Sequence, residues 1–402
     1  MKESHYFSPP VRRRLSFVPG ITNLIAEHAQ WLTGRRLALL THPAAVDASG
    51  TPTPHVLRRV PRTQVHVFFG PEHGFFGGAA AGENVDHLRH PFWGIPVYSL
   101  YGENRRPTPD MLRRVDCIVV DLQDLGVRCY TYVSTLRFIL EAAATCDKTV
   151  VVADRPIPLP RVIDGPIPEP GFTSFIAAIP APFVYGMTPG ETALWLKRHL
   201  NLQVQLRVAR MRGYARDNFR QADWPPWIPP SPGIASWESA LCYPATVFTE
   251  AFPEIERGRA AGLPFQVLGA PWIRGRELCE WLDQHKLPGV VFHPHLYRTG
   301  AGETSRLLEG IRLTVVDPAR FSPVTTSLFI VDALARLYKP ARLWRNPTAR
   351  LDFFDRLYGT AAVRLALLDG ESPQAIAARW EQARENKLFR ASRQAALLYQ
   401  AQ

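Results

Sequence analysis

Residues 117–132 read Cys117-Ile118-Val119-Val120-Asp121-Leu122-Gln123-Asp124-Leu125-Gly126-Val127-Arg128-Cys129-Tyr130-Thr131-Tyr132, and a helical pattern follows over 132–144. The opening apolar run has the length and the uninterrupted character of a strand buried on both faces. An acid stands directly after it, then a polar loop, then a helix, which is one arm of a βαβ crossover. The same order recurs on either side. Strand-length apolar runs lie at 37–40, 65–69 and 150–153, each followed by polar or Gly/Pro punctuation, with helical patterns at 24–32 and 109–114. Such alternation predicts an α/β fold with a Rossmann-like, mostly parallel sheet and helices on both faces. After the first strand the chain reads Thr41-His42-Pro43-Ala44-Ala45. The GxGxxG dinucleotide fingerprint is therefore missing, and the fold carries no expectation of NAD.

Downstream, Thr188-Pro189-Gly190-Glu191 supplies an N-cap, a first-turn proline and a capping-box glutamate for a further helix. Residues 203–208 alternate like a strand, and 224–232 form a proline-rich, extended stretch. Strands are expected near 265–268, 290–292 and 311–316, then helices at 324–338, 360–368, 373–385 and 390–400. The expected organisation is a disordered tail over 1–20, a Rossmann-like catalytic domain over 21–200, a junction over 201–235, and a smaller α/β auxiliary domain with a helical C-terminal tail over 236–402.

Of the 402 residues, 46% are hydrophobic and 21% charged, a globular balance that excludes a disordered or fibrous chain. The formal net charge is +11, nearly all of it from arginine. Those arginines are dispersed, apart from Arg12-Arg13-Arg14, and no nucleic-acid module accompanies them. A solvated basic surface or a site for small anions is expected, and no nucleic acid partner. The five cysteines form no CxxC pair, so neither a disulfide framework nor a cysteine-based zinc site is expected. No stretch approaches the roughly 18 to 20 apolar residues of a membrane helix, and the N-terminal residues lack a signal-peptide pattern. The chain thus reads as soluble and cytoplasmic, without a membrane partner.

In an open α/β sheet, ligands bind beyond the carboxyl ends of the strands. Glu72-His73 follow the second strand, with Glu83 beyond a glycine-rich loop. Asp121, Gln123, Asp124 and Arg128 follow the third, and Asp154-Arg155 the fourth. Any one of these could instead cap a helix or form a buried ion pair. As a set they suggest chemistry. Paired carboxylates suit a glycosidase, in which one protonates the leaving oxygen and the other acts as base or nucleophile. No HExxH or comparable ligand spacing supports a metal, and no GxSxG supports a nucleophilic serine. Neither a metal nor a redox cofactor is expected.

The motifs FFGPEHGFFGGAAAGENV, GIPVYSLYGENRRPTPDML, DCIVVDLQDLGVRCYTYVSTL, VVADRPIPL and YGMTPGETA resemble, in order and spacing, the NamZ-type exo-β-N-acetylmuramidase family, formerly a domain of unknown function. The resemblance continues through SALCYPATVF, PFQVLGAPWI and LEGIRLTVVDPARFSPV. It implies removal of terminal β-linked N-acetylmuramic acid, a small carbohydrate, from the non-reducing end of peptidoglycan fragments. By the same resemblance Glu72, Glu83 and His73 form the catalytic set. Asp121, Gln123, Asp124, Arg128, Tyr130, Tyr132, Asp154, Arg155, Tyr185 and Arg259 become candidates for sugar contacts. Arg128 is attractive because a guanidinium fork can grip the lactyl carboxylate of muramic acid, with an ion pair to Asp124 as its alternative. Several positions depart from the family pattern: Phe76 stands for an arginine, Ile157 for an asparagine and Tyr185 for a histidine. The segment 250–259 replaces the usual Glu-Gly-Thr-Asn run. A catalytically degenerate carbohydrate-binding or regulatory protein is the competing class.

Overall fold

The computed structural model describes residues 16–217, 220, 224–300, 305–338 and 342–400. Most of the expected N-terminal tail, including Arg12-Arg13-Arg14, lies outside the described residues. The first half runs α1 (Gly20–His28), β1 (Arg36–Thr41), α2 (Thr53–Arg58), β2 (Gln64–Gly70), β3 (Leu88–Arg89), β4 (Pro96–Ser99), α3 (Pro109–Leu112), β5 (Cys117–Asp121), α4 (Tyr132–Thr145), β6 (Thr149–Ala153), α5 (Pro189–His199) and β7 (Gln205–Ala209). Its seven strands form one sheet in the order β3-β4-β2-β1-β5-β6-β7. From β4 to β7 every neighbouring pair is parallel, and only the two-residue edge strand β3 is antiparallel.

The period of two explains why both faces are covered. Leu37, Leu39, Cys117 and Val119 turn one way, to a cluster with Ile21 and Leu24 of α1 and Val56 and Leu57 of α2. Ala38, Leu40, Ile118 and Val120 turn the other way, against Val133, Leu136 and Leu140 of α4. Strand β7 falls within the stretch expected as a junction and forms the far edge of this sheet.

The second half comprises α6 (Trp237–Thr246), β8 (Val267–Gly269), α7 (Gly275–Asp283), β9 (Val290–Arg298), β10 (Leu307–Val315), α8 (Pro323–Leu337), α9 (Leu351–Tyr358), α10 (Ala362–Leu368), α11 (Pro373–Gln382) and α12 (Arg384–Gln394). Its antiparallel sheet, β8-β10-β9, packs against α6 and α7, and α8 packs on those two helices. The fold is thus a mostly parallel α/β layer followed by a smaller α/β unit with a helical C-terminal region. The last helix was expected at 390–400 but spans Arg384–Gln394, and α6, α7 and α9 had no counterpart in the sequence reading. In α6 an internal Pro244 masks the helical pattern. One hydrophobic core crosses from half to half: the Phe183 ring lies 4.5 Å from Phe248, which stacks 4.1 Å from Tyr358.

The proline-rich stretch crosses the carboxyl ends of the central strands. The Pro230 carbonyl accepts hydrogen bonds from the Tyr132 hydroxyl at 2.6 Å and from Nδ1 of His42 at 3.3 Å. Trp227 and Trp224 both meet Trp237 edge to face, fastening the stretch to α6. Among the described residues, no helix is long and apolar enough to cross a membrane. The cysteines are free, and all but Cys146 are buried.

Candidate active site

Strand β2 delivers Gly70-Pro71-Glu72-His73-Gly74 to the carboxyl edge of the sheet. A Cβ at Gly70 would meet the Phe75 nitrogen at 2.5 Å, so the turn needs glycine there. His73 has φ 70°, a left-handed conformation that costs a non-glycine residue free energy and tends to occur at functional sites. Its Nδ1 donates to the Ala79 carbonyl at 2.8 Å, which holds the ring in one tautomer. The loop then returns, and the Gly82 N–H donates to Oε1 of Glu72 at 2.9 Å. The Thr131 hydroxyl, at the start of α4, donates to Oε2 of Glu72 at 2.5 Å. Burial, and then the Glu72 carboxylate beside it, push the Tyr101 phenol up to about 12, so this hydroxyl keeps its proton. Glu72 is therefore held by two hydrogen bonds, with Tyr101 beside it, while 9% of its surface stays exposed.

Glu72 and His73 line a cleft of about 800 Å³ between the two halves. The sheet side contributes Tyr101, Tyr130 and Thr131, and the proline-rich stretch adds Ser231 and Pro232. The opposite wall, from the second half, carries Glu250, Arg257, Arg259 and Arg350. Glu250 sits on a 3-10 turn, Val247–Ala251, and accepts a hydrogen bond from Nη2 of Arg259. Burial, then the neighbouring Cys129, and after it Glu250 and Glu72 raise the Tyr243 phenol well above the ordinary value. Among the described residues, no cluster of three His, Cys, Asp or Glu side chains could hold a metal ion.

Of the residues expected from sequence, Glu72, His73, Tyr130 and Arg259 meet in this cleft. Glu83 does not. It is exposed, and its Oε2 accepts from the Ala80 N–H at 2.8 Å, which makes it the clasp of the returning turn. Asp121 and Arg155 form a buried ion pair, with Nη2 to Oδ2 at 2.9 Å and the Thr53 hydroxyl on the same carboxylate. Asp154 caps α5 through the Gly190 N–H at 2.7 Å and the Thr188 hydroxyl at 2.8 Å, and accepts from Tyr399 at 2.7 Å. Burial pushes its carboxyl up to about 7.

Gln123 spends its side-chain amide on the carbonyls of Pro156, at 2.7 Å, and Asp124, at 3.1 Å. Its backbone N–H donates to Nε2 of His42 at 2.9 Å, which keeps that ring neutral. Burial, and then the Arg155 charge, lower the His42 pKa to about 3. Asp124 accepts from the N–H groups of Leu125 and Gly126, at 2.6 and 2.8 Å, and from the Tyr185 hydroxyl at 3.4 Å. Burial pushes it up to about 7. Tyr132 and Tyr185 are buried in the core.

Arg128 meets neither partner expected of it. It is fully buried, and its two Nη atoms donate to four carbonyls, those of Pro166, Ala181, Leu357 and Tyr358, at 2.7 to 2.9 Å. With those donors occupied it cannot grip a sugar carboxylate; it ties α4's approach to the end of α9.

Among the cleft residues that the sequence reading missed are Tyr101, Thr131, Glu250, Arg257 and Arg350. Tyr101 and Thr131 lie inside motifs already quoted, and Glu250 and Arg257 inside the departing segment, so the signal was there for four. Arg350, in the loop before α9, belongs to no motif.

Comparison with known proteins agrees with this architecture along the whole chain. Residues 37–238 match the N-terminal domain of the exo-β-N-acetylmuramidase NamZ, and 241–399 match its C-terminal domain. The peptidoglycan β-N-acetylmuramidase NamZ of Bacillus subtilis (strain 168) is 34% identical over 382 residues, 94% of this chain and 91% of that protein. Crystal structures of two DUF1343 family proteins from Bacteroides fragilis NCTC 9343 share the fold. One superposes with a TM-score of 0.83 at 31% identity, covering 97% of this chain and 100% of the other. The second has a TM-score of 0.75 at 26% identity, covering 96% and 100%. From both halves of its sequence and from its fold, the chain belongs to the exo-β-N-acetylmuramidase NamZ family.

Proposed function

We propose that this protein is a glycoside hydrolase that removes terminal β-linked N-acetylmuramic acid from the non-reducing end of peptidoglycan fragments, with Glu72 as its principal catalytic carboxylate. The observation that carries the reading is the setting of Glu72 in a sugar-sized cleft, between the Gly82 N–H and the Thr131 hydroxyl. Both carboxylate oxygens accept hydrogen bonds. That arrangement suits a group that takes up a proton or attacks carbon, and fixed geometry of this kind is what makes such a step fast. His73 stands beside Glu72 with its Nδ1 occupied, which orients the ring in the cleft wall. The second carboxylate of the cleft is Glu250, from the opposite half, in place of Glu83.

Hydrolysis of a chromogenic β-N-acetylmuramide tests this. Wild type should release the chromophore, Glu72→Gln should lose about 10²-fold or more in kcat while folding normally, and Glu83→Gln should stay within about threefold of wild type. A well-folded Glu72→Gln variant with wild-type turnover would refute the assignment. A wild type inert toward the muramide would favour the carbohydrate-binding class.

A further inference from the structure

The wall of the cleft opposite Glu72 holds more positive charge than it neutralises. Arg257, Arg259 and Arg350 all line it, and the only carboxylate beside them on the cleft lining, among the described residues, is Glu250. Glu250 is already bonded to Arg259, whose guanidinium also lies 4.8 Å from the centre of the Phe265 ring. Its nearest approach to Nε of Arg257 is 3.9 Å, too long for a hydrogen bond.

Arg257 donates through Nη1 to the carbonyls of Thr249 and Ile255, while its buried Nε has no hydrogen-bond partner. Glu256, the acid adjacent to Arg257 in the chain, is turned to the Gly258 N–H at 2.5 Å and does not line the cleft. Arg350 is exposed, forms no ion pair among the described residues, and stacks 4.2 Å from the centre of the Phe353 ring. A ring beneath a guanidinium leaves its edge N–H groups free for a planar anion. Arg257 sits close enough to both other arginines to feel their charge.

On the other side of the cleft, Glu72 is satisfied by a hydroxyl and a backbone N–H, neither of them charged. Arg350, with no ion pair among the described residues, and Arg257, whose ion pair with Glu250 is a loose 3.9 Å, therefore bring to the cleft lining more positive charge than Glu250 neutralises. We infer that Arg257 and Arg350 form, with Arg259, a receptor for a free carboxylate on the substrate, and that this receptor makes the enzyme select an acidic amino sugar over its neutral counterpart. The inference rests on the glycosidase reading of the same cleft. It gives the carboxylate-gripping role to the second half of the chain, with Glu250 holding Arg259 in place. Bidentate contacts of this kind carry orientation as well as charge, so they discriminate between sugars that differ only by a lactyl ether.

The test compares Arg257→Met and Arg350→Met with wild type on a chromogenic β-N-acetylmuramide and the matching β-N-acetylglucosaminide. Calorimetric binding of free N-acetylmuramic acid and N-acetylglucosamine is measured alongside. Each variant should reduce the muramide-to-glucosaminide ratio of kcat/KM by about tenfold or more, through KM. The preference for binding muramic acid should fall in parallel. An equal loss on both sugars, or an unchanged ratio, would overturn the receptor. Arg350 is exposed, so its variant decides the matter even if Arg257→Met fails to fold. If wild type cleaves neither substrate, the glycosidase reading fails, and the binding ratio in the variants still upholds or refutes the carboxylate receptor on its own.

Discussion

Replacing Arg128 by methionine separates two roles that the same residue could play. Its Nη1 donates to Pro166 and Ala181 at 2.7 and 2.9 Å, and its Nη2 to Leu357 and Tyr358 at 2.8 and 2.9 Å. Methionine keeps the apolar stem but leaves four carbonyls without their donor. At the lower end of about 1 to 3 kcal/mol for each unsatisfied buried group, the loss is about 4 kcal/mol. Relief of the buried charge, whose pKa burial has already drawn down to about 9, offsets part of it. For a chain of 402 residues, an unfolding entropy of about 2 cal/mol/K per residue turns that loss into a fall in Tm of about 5 °C. Thermal and urea unfolding would measure it. At a temperature where the variant is folded, KM for a chromogenic muramide should match wild type, because Arg128 does not line the cleft. Unchanged stability together with a raised KM would refute this reasoning and return Arg128 to the substrate carboxylate.

Thr131→Val should lower kcat about tenfold with little change in KM, because Glu72 loses one of its two hydrogen-bond donors, whereas Thr131→Ser should restore the rate; equal kcat in Val and wild type would count against the Thr131–Glu72 bond. Asp124→Asn bears on the pH dependence of stability. With its folded carboxyl raised to about 7, Asp124 stays protonated in the folded chain between about pH 4 and 7, while the unfolded chain releases the proton. Its contribution is therefore full below about pH 4 and lost as the pH rises through 7. The stability of wild type relative to Asp124→Asn should fall over that window in denaturant titrations, and a rise would contradict the burial described for Asp124.

The sheet was legible because its strands are buried on both faces and punctuated by glycine, proline or acid, a signal confined to a few adjacent residues. The site was legible only as far as local chemistry reaches. Glu72 announces itself by following a strand and preceding a glycine-rich turn. Asp121 and Asp154 carry the same local signature, yet they are sealed by partners distant in sequence, Arg155 for the first and Tyr399 for the second. Whether a carboxylate at a strand end faces a cleft or a salt bridge is decided by that distant chain. Arg128 shows the same limit, since two of its acceptors lie 229 and 230 residues away. Glu83 illustrates the converse, a nearby acid whose own turn claims it. Glu250 and Arg350 come from a short 3-10 turn and a loop, where no periodicity marks a side chain as facing inward.

The strap over the central strands has a consequence for what this topology can hold. The order of strand succession in the large sheet switches sides between β1 and β5, and a nucleotide-binding protein of such a layout seats its pyrophosphate at that switch. Here the berth is stoppered from within: the carbonyl of Pro230 docks onto His42 and Tyr132, as a tethered guest. With that berth closed by the protein itself, the vacancy shifts one strand outward, to the end of β2. A layout that in other proteins seats a dinucleotide thereby offers a shelf at its neighbouring strand, with the second half of the chain as its facing wall.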